Sequence, residues 1–169
     1  MFPHIPIGLA LSRPEGFGLS RGMTMNDTTD VADHVRVNFD RQGLMAHLGA
    51  QLVHARDGVA RIELDYGPQL SQQHGYFHAG ATSAIADSAG GYAALSVFEP
   101  DASVLTVDFT MNLIAPAHGE RLEAVGTVVR AGRTLTVCRL EVTAVADGTR
   151  TTVAIGQQTV IRITARNGA

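Results

Sequence analysis

Residues 72–94 read QQHGYFHAGATSAIADSAGGYAA, and they predict a helix with a single charged side chain, Asp87. On a helix, the residues three, four and seven positions before or after Asp87 lie on the same face as Asp87. An ordinary amphipathic helix carries large aliphatic side chains on one face. Each glycine costs a helix interior about 1 kcal/mol relative to alanine, so we expect another backbone or a slender ligand to approach this face closely. The other residues on the Asp87 face are all small: Gly80, Ser83, Ala84, Gly90, Gly91 and Ala94.

The composition suits one globular domain with its own core, because 45% of the 169 residues are apolar and 17% are charged. The formal net charge is −3 and the basic residues are scattered, which predicts no nucleic-acid partner. The apolar runs are too short for a membrane span, so no membrane partner is expected. The single cysteine, Cys138, can form no intrachain disulfide, which favours a cytoplasmic location.

Three of the six prolines lie near the N-terminus, at Pro3, Pro6 and Pro14. They predict an irregular N-terminal extension over residues 1–26, outside a single domain at residues 27–169. The apolar segment IPIGLAL is short and no Lys or Arg precedes it, so a secretory signal peptide is not expected.

The chain before the Asp87 helix predicts one or two short helices and then a strand pair. Polar residues 26–30 resemble a helix N-cap, and the apolar spacing that follows is interrupted near Gly43. Two β-like runs flank Asp57-Gly58, a dipeptide that favours a hairpin turn. A polar loop over residues 69–77 leads into the helix, predicted at 79–97, and Pro100 marks its far boundary.

The rest of the chain predicts four strands. Residues 102–114, ASVLTVDFTMNLI, alternate in polarity, which predicts one apolar face with Thr106 on the opposite face. The other three strands are predicted at 120–130, 134–146 and 150–164, separated by Ala131-Gly132 and Asp147-Gly148. A large antiparallel sheet needs one covered face, and the helix at 79–97 is the only long apolar one. We therefore predict an α+β fold in which an antiparallel β-sheet wraps around a long central helix.

Two patches of residues 50–164 carry a resemblance to a known family. His78-Ala79-Gly80 followed by Asp87, and TVDFTMNLIAPA at 106–117, resemble the hotdog fold, specifically its PaaI-like acyl-CoA thioesterases. The family typically shows His-Gly-Gly at the helix entry, so Ala79 replaces its first glycine. The resemblance implies hydrolysis of acyl-CoA thioesters to free acid and CoA. CoA is then part of the substrate, and no separate cofactor is expected.

The predicted helix can supply both groups that thioester hydrolysis needs. The unpaired amides of its first turn, at Ala79 and Gly80, lie at the positive end of the helix dipole and can hold an oxyanion. The Asp87 carboxylate, two turns along, can attack the carbonyl carbon or activate water. The sequence leaves both routes open.

The resemblance adds three further candidate residues. It implies that Gln72, with Gln73 as the alternative, contacts the thioester or positions water. It implies that Thr106 orients water, although the predicted alternation would let Thr106 reach a site only across a subunit boundary. It implies that His78 shapes the helix entry rather than transferring protons.

Two other clusters have simpler interpretations. Arg130, Gly132, Arg133 and Thr134 form a basic turn, which is either a solvated hairpin or a contact for the phosphates of coenzyme A. His74 and His78 have the spacing of a zinc pair on a helix. Gly75 and the predicted loop argue against helical geometry there, and no third ligand is evident, so no metal site is predicted.

Two alternative functions remain open at this point. A hotdog hydratase or dehydratase would use a His and an acid to hydrate enoyl-CoA, and a non-catalytic module would bind acyl-CoA without turnover. A sheet rolled around one helix leaves unpaired edges. We therefore expect a homodimer or homotetramer whose sites are built from two chains.

Overall fold

The computed structural model describes residues 30–164, so the extension predicted at residues 1–26 lies outside the described residues. Two short helices are followed by two strands, a long helix and four more strands. A 3-10 turn at Pro68–Leu70 precedes the long helix. The helices are α1 (Asp33–Phe39), α2 (Gly43–Leu48) and α3 (Ala79–Leu95), and the strands are β1 (Gln51–Arg56), β2 (Val59–Asp65), β3 (Ala102–Leu113), β4 (Arg121–Ala131), β5 (Leu135–Ala146) and β6 (Thr149–Thr164).

The six strands form one antiparallel sheet in the order β1-β2-β4-β5-β6-β3. Helix α3 packs against the sheet and buries Ile85, Ala89 and Ala93 completely. Facing strands contribute residues such as Leu122 and Leu140, which are equally inaccessible to solvent. The predicted α+β arrangement, with an antiparallel sheet around one long helix, is confirmed. Within residues 30–164 no helix is long and apolar enough to cross a membrane.

The turn dipeptides form the predicted hairpins. Asp57 and Gly58 have φ angles of 53° and 81°, and Asp147 and Gly148 have 48° and 76°. A two-residue hairpin turn whose twist matches that of the flanking strands needs positive φ at both central residues. Asp and Gly adopt positive φ with little strain. These two dipeptides join β1 to β2 and β5 to β6.

Small residues let α3 lie very close to the sheet. A Cβ atom on Gly126 of β4 would lie 2.4 Å from the Ala89 carbonyl oxygen of the helix. A Cβ atom on Gly90 would lie 1.8 Å from Oε1 of Gln158 on β6. The predicted close approach is therefore correct for Gly90. It does not hold for Gly91, where a Cβ atom would meet nothing within 4 Å.

The structure of β3 contradicts the prediction made for its two faces. A β-bulge lies between Thr106 and Asp108, where the register with β6 shifts by one residue. A bulge changes which face later side chains occupy. Val104 before the bulge and Phe109 and Met111 after it all pack against the core. The prediction of one continuous apolar face, with Thr106 on the other side, is therefore wrong.

The outer face of the sheet has an apolar part beside the β3 edge. Leu105, Ile161 and Leu135 lie opposite one another across β3, β6 and β5. Leu105 is 57% exposed and Leu135 is 48% exposed. We call these three residues the outer apolar patch. Strand β3 is the last strand of the sheet, so one of its edges has no strand partner among residues 30–164.

Charged residues cover another part of the outer face. Glu123 on β4 accepts two hydrogen bonds from the Arg150 guanidinium, at 2.9 and 2.6 Å. The hydrogen bonds from Arg150 hold the pKa of Glu123 below its ordinary value, although burial of the carboxyl opposes this shift. The outer face is thus divided between an ionic cluster and the outer apolar patch.

Candidate active site

Helix α3 begins with a histidine cap. The His78 ring accepts a hydrogen bond at Nδ1 from the Gly80 amide, at 2.8 Å, so this nitrogen carries no proton in the capped form. An acceptor at the N-cap satisfies one of the unpaired amides of the first turn. The His78 contact agrees with the structural role that the resemblance implied. It also means that the Gly80 amide already has an acceptor, whereas the prediction that Gly80 binds an oxyanion requires an amide without one.

An apolar pocket of about 190 Å³ opens beside the start of α3. Ala79, Gln72 and Thr82 line it, together with Leu113 at the end of β3 and Ala115 in the segment that follows. The Ala79 amide has no acceptor among residues 30–164. The side-chain oxygen of Gln72 accepts from the His74 amide, so the Gln72 NH₂ group remains available as a donor. Gln73 is exposed and does not line this pocket.

Asp87 lies in the third turn of α3 and is half-buried. Its Oδ1 atom accepts from the Thr106 hydroxyl at 2.9 Å and from the Gln158 side-chain nitrogen at 2.6 Å. Among the described residues no donor reaches Oδ2. Thr106 therefore reaches Asp87 within one chain, and the prediction that it could do so only across a subunit boundary is wrong. The bulge after Thr106 explains the error, because polarity alternation over the whole strand assigned Thr106 to the wrong face.

Sequence reasoning missed Gln158. It lies within β6, where the sequence GQQTVIRI (156–163) contains two adjacent glutamines. Gln158 is completely buried, whereas Gln157 is exposed. Alternation along the strand predicts that one of two adjacent glutamines faces the core. A polar residue on a core face was the available signal.

A second pocket, of about 90 Å³, adjoins Asp87 and is mostly polar. Asn38 of α1 and Gln42, the residue just before α2, form part of its wall. The Tyr92 hydroxyl donates to Asn38 Oδ1 at 3.3 Å, and the Ser88 hydroxyl donates to Gln42 at 3.2 Å. Burial, with the nearby Asp40 charge, raises the pKa of Tyr92 to about 12, so this phenol is neutral at physiological pH.

The two pockets share no lining residue. Gln72 and Ala79 border the apolar pocket, whereas Asp87 and Thr106 border the polar one. A single chain therefore groups the predicted residues into two separate sets, each incomplete for the proposed chemistry.

The basic turn lies apart from both pockets. Arg130, Gly132, Arg133 and Thr134 belong to the β4–β5 hairpin and line neither pocket. The turn is closed by a hydrogen bond from the Gly132 amide to the Leu135 carbonyl at 2.9 Å. Within residues 30–164, neither arginine forms an ion pair. A contact between this turn and coenzyme A phosphates stays a prediction.

Metal-binding and thiol chemistry find little support in this part of the chain. Residues 30–164 contain no group of three or more His, Cys, Asp or Glu side chains placed to hold a metal ion. Burial raises the pKa of the Cys138 thiol to about 11, and the thiol lies 3.5 Å from the Gly90 carbonyl. Cys138 therefore packs as a neutral core side chain.

Known proteins share this architecture. A thioesterase family protein from Silicibacter pomeroyi is 42% identical, with a TM-score of 0.76 over 78% of this chain and 97% of that one. The PaaI protein of the E. coli phenylacetic acid degradation operon is 21% identical, with a TM-score of 0.68 over 77% and 91% of the two chains. The antiparallel sheet, the central helix and the similarity to these solved structures identify the molecule as a hotdog-fold protein, as predicted.

Sequence relatives identify the family. The pattern of the thioesterase superfamily matches residues 74–151. A candidate esterase from Halobacterium salinarum is 33% identical over 143 residues, which cover 80% of this chain and 94% of the relative. The chain belongs to the thioesterase superfamily.

Proposed function

We propose that the protein hydrolyses acyl-CoA thioesters to the free acid and CoA. The observation that carries this proposal is the Asp87 carboxylate. Oδ1 is held by two donors, Oδ2 has no donor among the described residues, and the group borders a pocket. A carboxylate fixed through one oxygen is suited to general-base or nucleophilic attack through the other. Membership of the thioesterase superfamily supports a thioester as the substrate.

Two chemical routes are compatible with this arrangement. In the first, Asp87 takes a proton from water, the water oxygen attacks the carbonyl carbon, and the carbon–sulfur bond breaks to release CoA. In the second, Asp87 itself attacks, CoA leaves, and water then hydrolyses the mixed anhydride. In either route the developing oxyanion needs a donor, for which the Ala79 amide and the Gln72 NH₂ group are the candidates.

Neither alternative function has a specific observation in its favour. Hydration of an enoyl-CoA would need a histidine that transfers a proton. Nδ1 of His78 accepts from the Gly80 amide, so only Nε2 could transfer that proton, and no described residue forms a hydrogen bond with Nε2. A non-catalytic binding module is likewise supported by no particular contact or pocket.

The function is tested by incubating the purified chain with a panel of aryl and aliphatic acyl-CoAs. We expect release of free CoA thiol from some members, detected with a thiol reagent. Enoyl-CoA hydration, followed as loss of the conjugated absorbance, is expected to be absent. Hydration without thiol release would replace the proposed function by the hydratase, and ligand binding without either reaction would replace it by the binding module.

We also propose that each active site is completed by a second copy of the chain. One chain leaves Gln72 and Asp87 in pockets with no residue in common. The β3 edge and the outer apolar patch offer surfaces on which copies could associate. A dimer related by a twofold axis would create two equivalent sites.

Mixing two inactive variants tests the shared site. Gln72→Ala removes the amide donor and Asp87→Asn removes the carboxylate, so each homo-oligomer should be inactive. If one site draws these residues from different chains, exchange of subunits produces mixed dimers with one intact site. Random pairing should then restore about a quarter of wild-type activity.

Light scattering and tagged subunits supply the controls. They establish the mass in solution and prove that subunits have exchanged. An active monomer would contradict the shared site, as would proven exchange without recovery of activity.

A further inference from the structure

Gln158 is the residue whose environment the proposed mechanism does not yet explain. It lies on β6, its side chain is completely buried, and it faces the middle of α3. Its nitrogen, Nε2, lies 2.6 Å from Asp87 Oδ1, 2.8 Å from Thr106 Oγ1 and 3.0 Å from the Asp87 carbonyl oxygen. A single amide nitrogen is thus surrounded by three oxygen atoms of the candidate site.

These oxygens determine the orientation of the amide. The two ends of a glutamine amide are distinguished by their hydrogen-bond partners. Asp87 offers a carboxylate and a carbonyl, which accept only, so the oxygen of Gln158 cannot occupy this position without repulsion. Thr106 donates its own proton to Asp87 and can therefore accept from Gln158. The three side chains form a closed hydrogen-bonded triangle.

The other end of the Gln158 amide has no hydrogen bond. Its Oε1 atom is buried without a partner among residues 30–164. A buried polar atom without a partner destabilises the folded state, and an apolar side chain of similar volume would avoid that cost. The chain also carries a glycine at position 90, where a Cβ atom would lie 1.8 Å from this oxygen. Both features oppose stability, whereas every hydrogen bond that Gln158 donates goes to Asp87 or to its other donor, Thr106.

We propose that Gln158 is a positioning residue that holds Asp87 through Oδ1 and leaves Oδ2 as the oxygen that reacts with water or the thioester. This assignment rests on the proposed thioester hydrolysis. Thr106 shares the task from the β3 side. Because both donors act on one oxygen, the carboxylate plane is fixed and the reacting oxygen has a constant direction. Preorganisation of this kind lowers the barrier without requiring contact between Gln158 and the substrate.

Gln158→Leu tests the assignment on the best substrate of the acyl-CoA panel. Leucine has a similar volume and no donor, so we expect kcat to fall about 100-fold while KM changes by no more than about threefold. The substitution removes the unpaired buried oxygen and also the hydrogen bonds from Nε2, so a melting curve is measured to establish that the variant is folded. Gln157→Leu is the matched control. It makes the same change at the neighbouring exposed position and should keep wild-type kcat.

Gln158→Met replaces Gln158→Leu if the leucine variant does not fold, because methionine keeps the unbranched shape of glutamine and has no donor. The same fall in kcat at little-changed KM is expected of it. Thr106→Val removes the other donor to Oδ1 at constant shape and should lower kcat about 10-fold, whereas Thr106→Ser keeps the hydroxyl and should retain activity. In the double variant of Thr106→Val with the folded Gln158 substitution, the losses should not be additive, since both donors hold one oxygen.

The outcomes separate this assignment from the proposed function. If wild type releases CoA, Asp87→Asn does not, and Gln158→Leu retains kcat within about threefold, the positioning role is overturned. A rise in KM at unchanged kcat would overturn it as well. If wild type and Asp87→Asn both fail to release CoA from every panel member, the proposed function itself is overturned, and the assignment with it.

Discussion

Asp87→Asn is expected to lower kcat for acyl-CoA hydrolysis by about 1000-fold or more, the largest effect of any single change considered. Asparagine has the same shape but can neither take a proton from water nor attack the carbonyl carbon. Its side-chain oxygen can still accept from Thr106 and Gln158, so the local hydrogen bonds survive. We therefore expect fold, assembly and melting temperature to be unchanged. Initial rates and circular dichroism measure the two parts of this prediction.

Asp101→Asn is the matched control, because Asp101 is exposed in the turn after α3 and borders neither pocket. It should hydrolyse thioesters at the wild-type rate. If Asp87→Asn kept more than about a tenth of wild-type kcat, the barrier would have risen by less than about 1.4 kcal/mol, and Asp87 could be neither the base nor the nucleophile.

Gly90→Ala is expected to lower the free energy of unfolding by about 1–3 kcal/mol, the range for overpacking a tight core. Helix propensity alone predicts the opposite sign, since alanine stabilises a helix interior by about 1 kcal/mol relative to glycine. The new Cβ atom would lie 1.8 Å from Gln158 Oε1 and 2.6 Å from Leu140 Cδ2. Both atoms belong to buried side chains, so the contact cannot be relieved by a move into solvent. The displacement of Gln158 should also reduce kcat.

Gly91→Ala is the matched control one residue further along the same helix. A Cβ atom there would meet nothing within 4 Å, so the variant should be at least as stable as wild type. Denaturant titrations of the three proteins measure the difference. Equal stability of Gly90→Ala and Gly91→Ala would show that the sheet does not press on α3 at Gly90.

Most secondary-structure boundaries could be predicted because local chemistry determines them. Asp57-Gly58 and Asp147-Gly148 favour a turn that few other dipeptides can adopt, and they placed two hairpins correctly. The polar loop over residues 69–77 and Pro100 bounded the predicted helix at 79–97, and α3 covers Ala79–Leu95, within two residues of that prediction. These signals depend on residues a few positions apart, so one sequence is enough to detect them.

Which side chains of β3 face the core could not be predicted in the same way. Apolar residues occupy both sides of this strand, and period-2 alternation assumes an uninterrupted register. The bulge at Val107 depends on how β3 pairs with β6, some fifty residues later in the chain. That pairing turns Thr106 toward Asp87 and leaves Leu105 on the outer face.

By itself the sequence determined that one acid stands in a helix of small residues, and that an antiparallel sheet must surround this helix. Local spacing and turn chemistry contain that information. Only the tertiary structure decided how the acid is held, because its two partners come from β3 and β6, and Gln158 is 71 residues away from Asp87. A hydrogen bond over that separation depends on strand order, register and the space that Gly90 leaves open, and these arise only when the sheet closes around the helix.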